Sequence, residues 1–207
     1  MAGTQEQMAQ YTEVLLEHTK HQGVPVTEVV VFKLKEPFTA EIGQQFETKI
    51  FNNANKGKGI TRAAWGNSLN DPSTLVWMMD WEKIEDHWGF WQTEHFLPVM
   101  AGINDLFVEG RPLVRHYKFG PQGLSTSEFV RVVIWDEKEK TTADEVFNGK
   151  DFGSGYSERK GGFAVDMREE TWFCTLLGYK SLEEAEESIK LAATENHFVQ
   201  LKHVINS

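Results

Sequence analysis

The chain of 207 residues has a single cysteine, Cys174, which excludes an internal disulfide and any zinc site built from several cysteines. Such usage fits a reducing, cytoplasmic compartment. Positive charge is also scarce: 21 Lys and Arg stand against 31 Asp and Glu, and no basic stripe relieves the formal charge of −10. Nucleic acid and anionic membrane surfaces are therefore not expected as partners. No run approaches the ~18 apolar residues of a membrane span, and no basic N-terminal region leads into an apolar one. Gly-x-Gly-x-x-Gly and Gly-x-x-x-x-Gly-Lys loops are missing, which leaves nucleotide sites of those kinds without support. No metal motif is present either, because His87 and His95, eight apart on a helix, stand ~12 Å apart along its axis. Gly153-Ser154-Gly155 lacks the flanks of a nucleophile elbow, and Cys174 sits in an apolar strand as a small hydrophobe.

What the chain does have is tryptophan, concentrated in one place: Trp65, Trp77, Trp81, Trp88 and Trp91. A fully apolar strand, Leu75-Val76-Trp77-Met78-Met79, leads into a helix expected over 82–107. On a helical wheel Ile84, Trp88, Trp91, His95, Pro98, Val99, Gly102 and Leu106 share one apolar stripe, with a kink expected near Pro98.

Elsewhere, 6–20 reads as a short amphipathic helix, an appendage stopped by Gly23 and Pro25. Residues 26–35 form an almost continuously apolar strand, the kind buried on both faces. Thr39 is placed to cap a helix over 40–53, strands at 60–67 and from Thr74 form a hairpin, and 112–119 gives a fourth strand. After the linker 120–123 the order repeats, with strands at 127–135, 162–167 and 172–179. A helix capped by Ser181 then carries Leu182, Ala185 and Ile189 before a last strand at 198–205. Each half reads β-α-β-β-α-β, a ferredoxin-like unit whose uncovered sheet face is most simply covered by the other sheet. The expected fold class is α+β with two facing antiparallel sheets: an N-terminal helix and linker (1–25), a first unit (26–120) and a second that completes the barrel (121–207).

With that order, the Trp81-Glu82 pair ending the third strand and Glu94-His95-Phe96 in the next helix, the chain resembles the dimeric α+β barrel superfamily. Within it, the chain resembles the antibiotic biosynthesis monooxygenase type of domain, and its tandem repeat looks like both subunits fused in one chain. The resemblance implies a cofactor-independent monooxygenase or cyclase acting on an aromatic or polyketide-like molecule, in which a base ionises a phenol or an activated C–H. It also admits a haem-binding or haem-degrading protein with His95 as axial ligand, and a non-catalytic ligand carrier or stress protein. A monomer or homodimer is expected.

The two halves are not equivalent. Aligning Trp81 with Tyr179 sets Glu186, Ile189 and Ala193 opposite Trp88, Trp91 and His95, so the pocket is expected in the first half. His95 is either a core histidine or the base, and His87 either a solvated residue at the stripe's edge or a second candidate. Trp65, Trp77, Trp81, Trp88 and Trp91 fill the core or wall a flat aromatic ligand. Asn67 either closes a turn or orients a substrate oxygen. His116 and Tyr117 alternate on the fourth strand, so only one of them faces the helices, and Tyr117 is a further ligand-binding candidate.

Overall fold

The computed structural model describes residues 5–109, 113–139, 141–186 and 193–205. Strands β1 (Val26–Lys33), β2 (Ile60–Asn67), β3 (Thr74–Trp81) and β4 (Leu113–Tyr117) form an antiparallel sheet in the order β4-β1-β3-β2. Strands β5 (Phe129–Asp136), β6 (Glu158–Phe163), β7 (Trp172–Tyr179) and β8 (Glu195–Gln200) form a second sheet. Its order β6-β7-β5-β8 is the same pattern read from the other edge.

The apolar runs are explained by what lies on each face. Along β1 and β3, Val29, Val31, Val76 and Met78 point between the sheets, where they meet Val130, Val132, Ile134, Cys174, Leu176 and Val199. Alternate residues Val30, Phe32, Trp77, Met79 and Trp81 point the other way, into a core beneath the helices. A strand buried on both faces needs no polar alternation, and all eight residues of β3 are buried.

The sheet edges approach at two seams. Tyr117 bridges Ala164 and Gly120 bridges Gly161 on one side, and Ser68 bridges Val199 on the other. Gly66 marks the second seam, since a Cβ there would lie 2.2 Å from the Gln200 carbonyl oxygen. The final strand departs from the sequence reading. It breaks at Leu201, and β9 (Lys202–Ile205) crosses to pair with β2 on the first sheet.

The helices differ too. Thr39 caps α2 (Ala40–Phe46) through the Ile42 N–H at 3.2 Å, and a π-type turn, Glu47–Phe51, carries the chain into α3 (Asn52–Ala54). The expected helix over 82–107 is two, α4 (Ile84–Phe90) and α5 (Phe96–Leu106), separated by a turn at 91–95. Pro98 lies in the first turn of α5, where its missing N–H has no intrahelical partner to lose, so the break precedes it. In the second half α6 (Ala143–Gly149) starts on a Thr142–Glu145 capping box. Helix α7 (Leu182–Glu186) follows Ser181, and the expected contribution of Ile189 lies outside the described residues. Nor is α1 (Gln5–His18) an appendage. Leu15 is buried, and Tyr11 stacks on Trp91 with ring centroids 5.8 Å apart and planes within 4°. Among the described residues no helix is long and apolar enough to cross a membrane.

Candidate active site

Between the outer face of the first sheet and helices α1, α4 and α5 lies a cavity of about 390 Å³. Its wall is mostly apolar and aromatic, with Phe32, Trp77, Trp88, Phe90, Trp91 and Phe96 among the lining residues. Four ionisable groups also line it: Glu28, His87, His116 and Asp166, each at most 6% exposed. Burying four such groups in an apolar wall is costly unless they pair with one another.

They do pair. Glu28 and His116 sit opposite each other on β1 and β4, both on the helix side of the sheet. From α4, His87 brings Nδ1 to 2.8 Å from His116 Nε2, and His116 Nδ1 lies 2.9 Å from Asp166 Oδ2. The Trp91 indole N–H, one helical turn beyond His87, donates to His87 Nε2 at 2.8 Å. Trp81 stacks on the His87 ring at 4.8 Å between centroids and donates its N–H to Glu28 Oε2 at 2.9 Å. Glu28 Oε1 completes the cluster, 3.7 Å from His87 Nε2.

Because an indole N–H can only donate, the protons along this line are ordered. His87 Nε2 must accept, so neutral His87 carries its proton on Nδ1 and gives it to His116 Nε2, and His116 Nδ1–H gives to Asp166. Burial, reinforced by the neighbouring His116, holds His87 well below the ordinary imidazole pKa and so neutral. Burial also depresses His116, but the charge and hydrogen bond of Asp166, with Glu28 behind, outweigh it and raise His116 above 6.5. Burial raises Glu28, opposed by His116 and the Trp81 hydrogen bond. A proton added to this neutral line therefore goes to His116 rather than to His87.

Glu28, His87 and His116 are also the one group among the described residues able to converge on a metal ion, with ligand atoms within 4.8 Å of one another. A metal there would have to compete with the His87–His116 hydrogen bond and with Trp91 for the His87 lone pair.

Other sequence candidates fall elsewhere. His95 is half-buried at the start of α5 and does not line the cavity. Trp77, Trp88 and Trp91 line it, Trp81 stands behind His87, and Trp65 packs against Phe46 in the adjoining core. Asn67, at the end of β2, bonds the Ser68 carbonyl at 3.4 Å. Tyr117 faces the inter-sheet core, while His116 faces the helices. Tyr117 lines a second cavity, of about 430 Å³, at the Arg62–Asp80 ion pair. A further trio, Ser68, His197 and Glu195, is joined at 3.2 and 2.6 Å, but Ser68 is 1% exposed and lines neither cavity.

Sequence reasoning missed Glu28, hidden in an apolar run, and Asp166. The segment carrying Asp166 reads in sequence as strand to 167, but β6 ends at Phe163. The chain then lies along β4, with the Val165 N–H on the His116 carbonyl at 3.0 Å, before turning at Met167 and Arg168 with positive φ. The second half thus supplies a residue to the first-half site. The one available signal was an acidic residue at the end of a run of strand pattern.

No family model matches the sequence, and no curated protein matches it. Solved structures do. An anthrone oxidase-like protein superposes with a TM-score of 0.62 at 10% identity, over 87% of this chain and 93% of its own. A candidate monooxygenase from Fusobacterium nucleatum subsp. nucleatum gives 0.57 at 12%, over 88% and 95%. A candidate chlorite dismutase gives 0.52 at 10%, over 88% and 96%. Each match runs across both sheets. The chain therefore has the two-sheet α+β fold of these structures, with both sheets supplied by one polypeptide; identities this low establish the fold alone.

Proposed function

We propose that the protein is a small-molecule tailoring enzyme, a cofactor-independent monooxygenase or cyclase acting on a hydrophobic aromatic or polyketide-like molecule held in the cavity beneath α4 and α5. The observation that carries this reading is the line Asp166–His116–His87, buried in an otherwise aromatic wall. A ligand carrier has no need of four buried ionisable groups, whereas a base that must work without water does.

The Trp91 N–H withdraws from His87 Nε2, and an activated C–H or phenolic O–H of the substrate takes its place. As His87 Nε2 accepts the proton, the Nδ1 proton passes to His116 Nε2, where Asp166 and Glu28 stabilise the imidazolium. His87 ends neutral, as its burial requires. The carbanion or phenolate left in the dry cavity then attacks an internal carbonyl or reacts with dioxygen. For an activated methylene the second course balances with dioxygen as the only oxidant. The carbon loses both hydrogens and gains one oxygen atom as a carbonyl, and the other oxygen atom leaves with those hydrogens as one water. The fold shared with an anthrone oxidase-like protein and a candidate monooxygenase supports this class of chemistry.

Turnover of anthrone with dioxygen, followed by quinone absorbance, tests the reading. His87→Ala should lower the rate by about 10²- to 10⁴-fold, the usual share of a general base, with anthrone still bound. A variant as fast as wild type would end the proposal. Haem is the competing occupant, given the fold shared with a candidate chlorite dismutase. A Soret band on haem titration, lost in His87→Ala or His116→Ala, would replace the reading above.

A further inference from the structure

We infer that Glu28, His87 and His116 form a site for one divalent ion of the zinc type, and that the bound ion takes the nitrogens through which the proton line runs. The metal site stands on geometry alone; its inhibitory consequence rests on the reading of His87 as the base.

The donors come from β1, α4 and β4, so no spacing in the sequence announces them. Two imidazoles and one carboxylate are a zinc donor set that leaves a fourth position open, whereas calcium and magnesium take oxygen ligands. His87 Nδ1 and His116 Nε2 lie 2.8 Å apart, close to the ~3 Å between two nitrogens held side by side on one zinc at ~2.1 Å. All three donor atoms lie within 4.8 Å of one another. A tetrahedral spacing of about 3.4 Å asks the widest pair to draw in by no more than about 1.4 Å.

The surroundings point to a metal as the donors do. A ligating histidine as a rule gives its second N–H to a carboxylate, and a ligating carboxylate is itself hydrogen-bonded. His116 Nδ1 meets Asp166 at 2.9 Å, and the Trp81 indole holds Glu28 Oε2 at 2.9 Å. That leaves His116 Nε2 and Glu28 Oε1 for an ion, both beside the His87 ring. All three residues line the cavity, which gives an ion its way in and the fourth position its opening. Trp91 works against the ion. Its N–H occupies the lone pair of His87 Nε2, and it also disfavours the Nε2–H tautomer that would free Nδ1. Whichever nitrogen binds, removing the indole N–H favours the metal.

Zinc is titrated calorimetrically into the full chain without substrate. One ion should bind per chain, and Glu28→Gln or His116→Ala should lose it. Asp166→Asn should weaken binding by about 10- to 100-fold, the usual share of an outer-shell carboxylate. Trp91→Phe should tighten it by about tenfold, the worth of one neutral hydrogen bond. This last variant keeps all three donors, so the test stays decisive if a ligand variant does not fold. As the site fills, the His87–His116 hydrogen-bonded proton should leave the ¹H NMR spectrum and anthrone turnover should fall in step. Absence of binding, binding that His116→Ala leaves unchanged, or no tightening in Trp91→Phe would mean an adventitious ion only and overturn the inference, leaving the proposed function intact. Turnover that rises with zinc would overturn the inhibitory role. If anthrone is not turned over at all, the proposed function falls and the titration still decides the metal site.

Discussion

Trp91 and His87, four residues apart on one turn of helix, are joined by a 2.8 Å hydrogen bond in which only the indole can donate. That bond fixes His87 as the Nδ1–H tautomer and orders every proton back to Asp166. In ¹⁵N spectra of labelled histidine recorded at a pH high enough for His116 to be neutral, Nε2 of His87 should resonate as an unprotonated nitrogen and Nδ1 as a protonated one. In Trp91→Phe the constraint disappears and the Nε2–H form should become populated. A protonated Nε2 in wild type would show that the relay is not ordered as proposed.

The relay also predicts a pH profile with a definite sign. Burial lowers His116, but Asp166 and Glu28 outweigh it and carry its pKa above 6.5. An imidazolium already present cannot receive the proton handed on by His87, so turnover should rise with pH through a value above 6.5. Asp166→Asn removes the charge that holds the proton, and the limb should move to lower pH while the plateau rate falls. kcat followed from pH 5 to 9 in both proteins decides the matter; a limb that stays in place would remove Asp166 from the mechanism.

His95 and His87 provide a paired test. Half-buried at the start of α5 and outside the cavity lining, His95 should tolerate alanine with turnover near wild type and a stability change of about 0.5 kcal/mol, as at other partly exposed positions. His87→Ala should instead lose turnover. If His95→Ala alone abolished activity, the base would have been misassigned to α4.

At the seam, Gly66→Ala should be costly although it adds one methyl group. The new Cβ would lie 2.2 Å from the Gln200 carbonyl oxygen, and the backbone cannot retreat without parting the sheets. Overpacking of this kind costs roughly 1–3 kcal/mol, readable as a lowered midpoint in urea or thermal unfolding. An unchanged midpoint would mean that the seam adapts freely.

The sequence by itself determined the strand order within each sheet and which strands are apolar on both faces. Strands apolar on both faces demanded two layers of cover, and β1 and β3 have them; Thr39 announced the start of α2; and the two ferredoxin-like orders were legible from spacing alone. Periodicity reports which face a residue occupies, because burial of apolar area drives it, but not who stands opposite. His95 shared a stripe with Trp88 and Trp91 only on an unbroken helix, and the turn at 91–95 moved it out. Glu28 reads as an interruption of an apolar strand until Trp81 and His87 are folded against it. Asp166, fifty positions from His116, meets it only because the second sheet docks along β4 and its chain overruns β6. The cavity wall was written in the tryptophans; its acid–base line was decided by tertiary structure, since buried charge is tolerated only where partners distant in sequence are brought within hydrogen-bond distance.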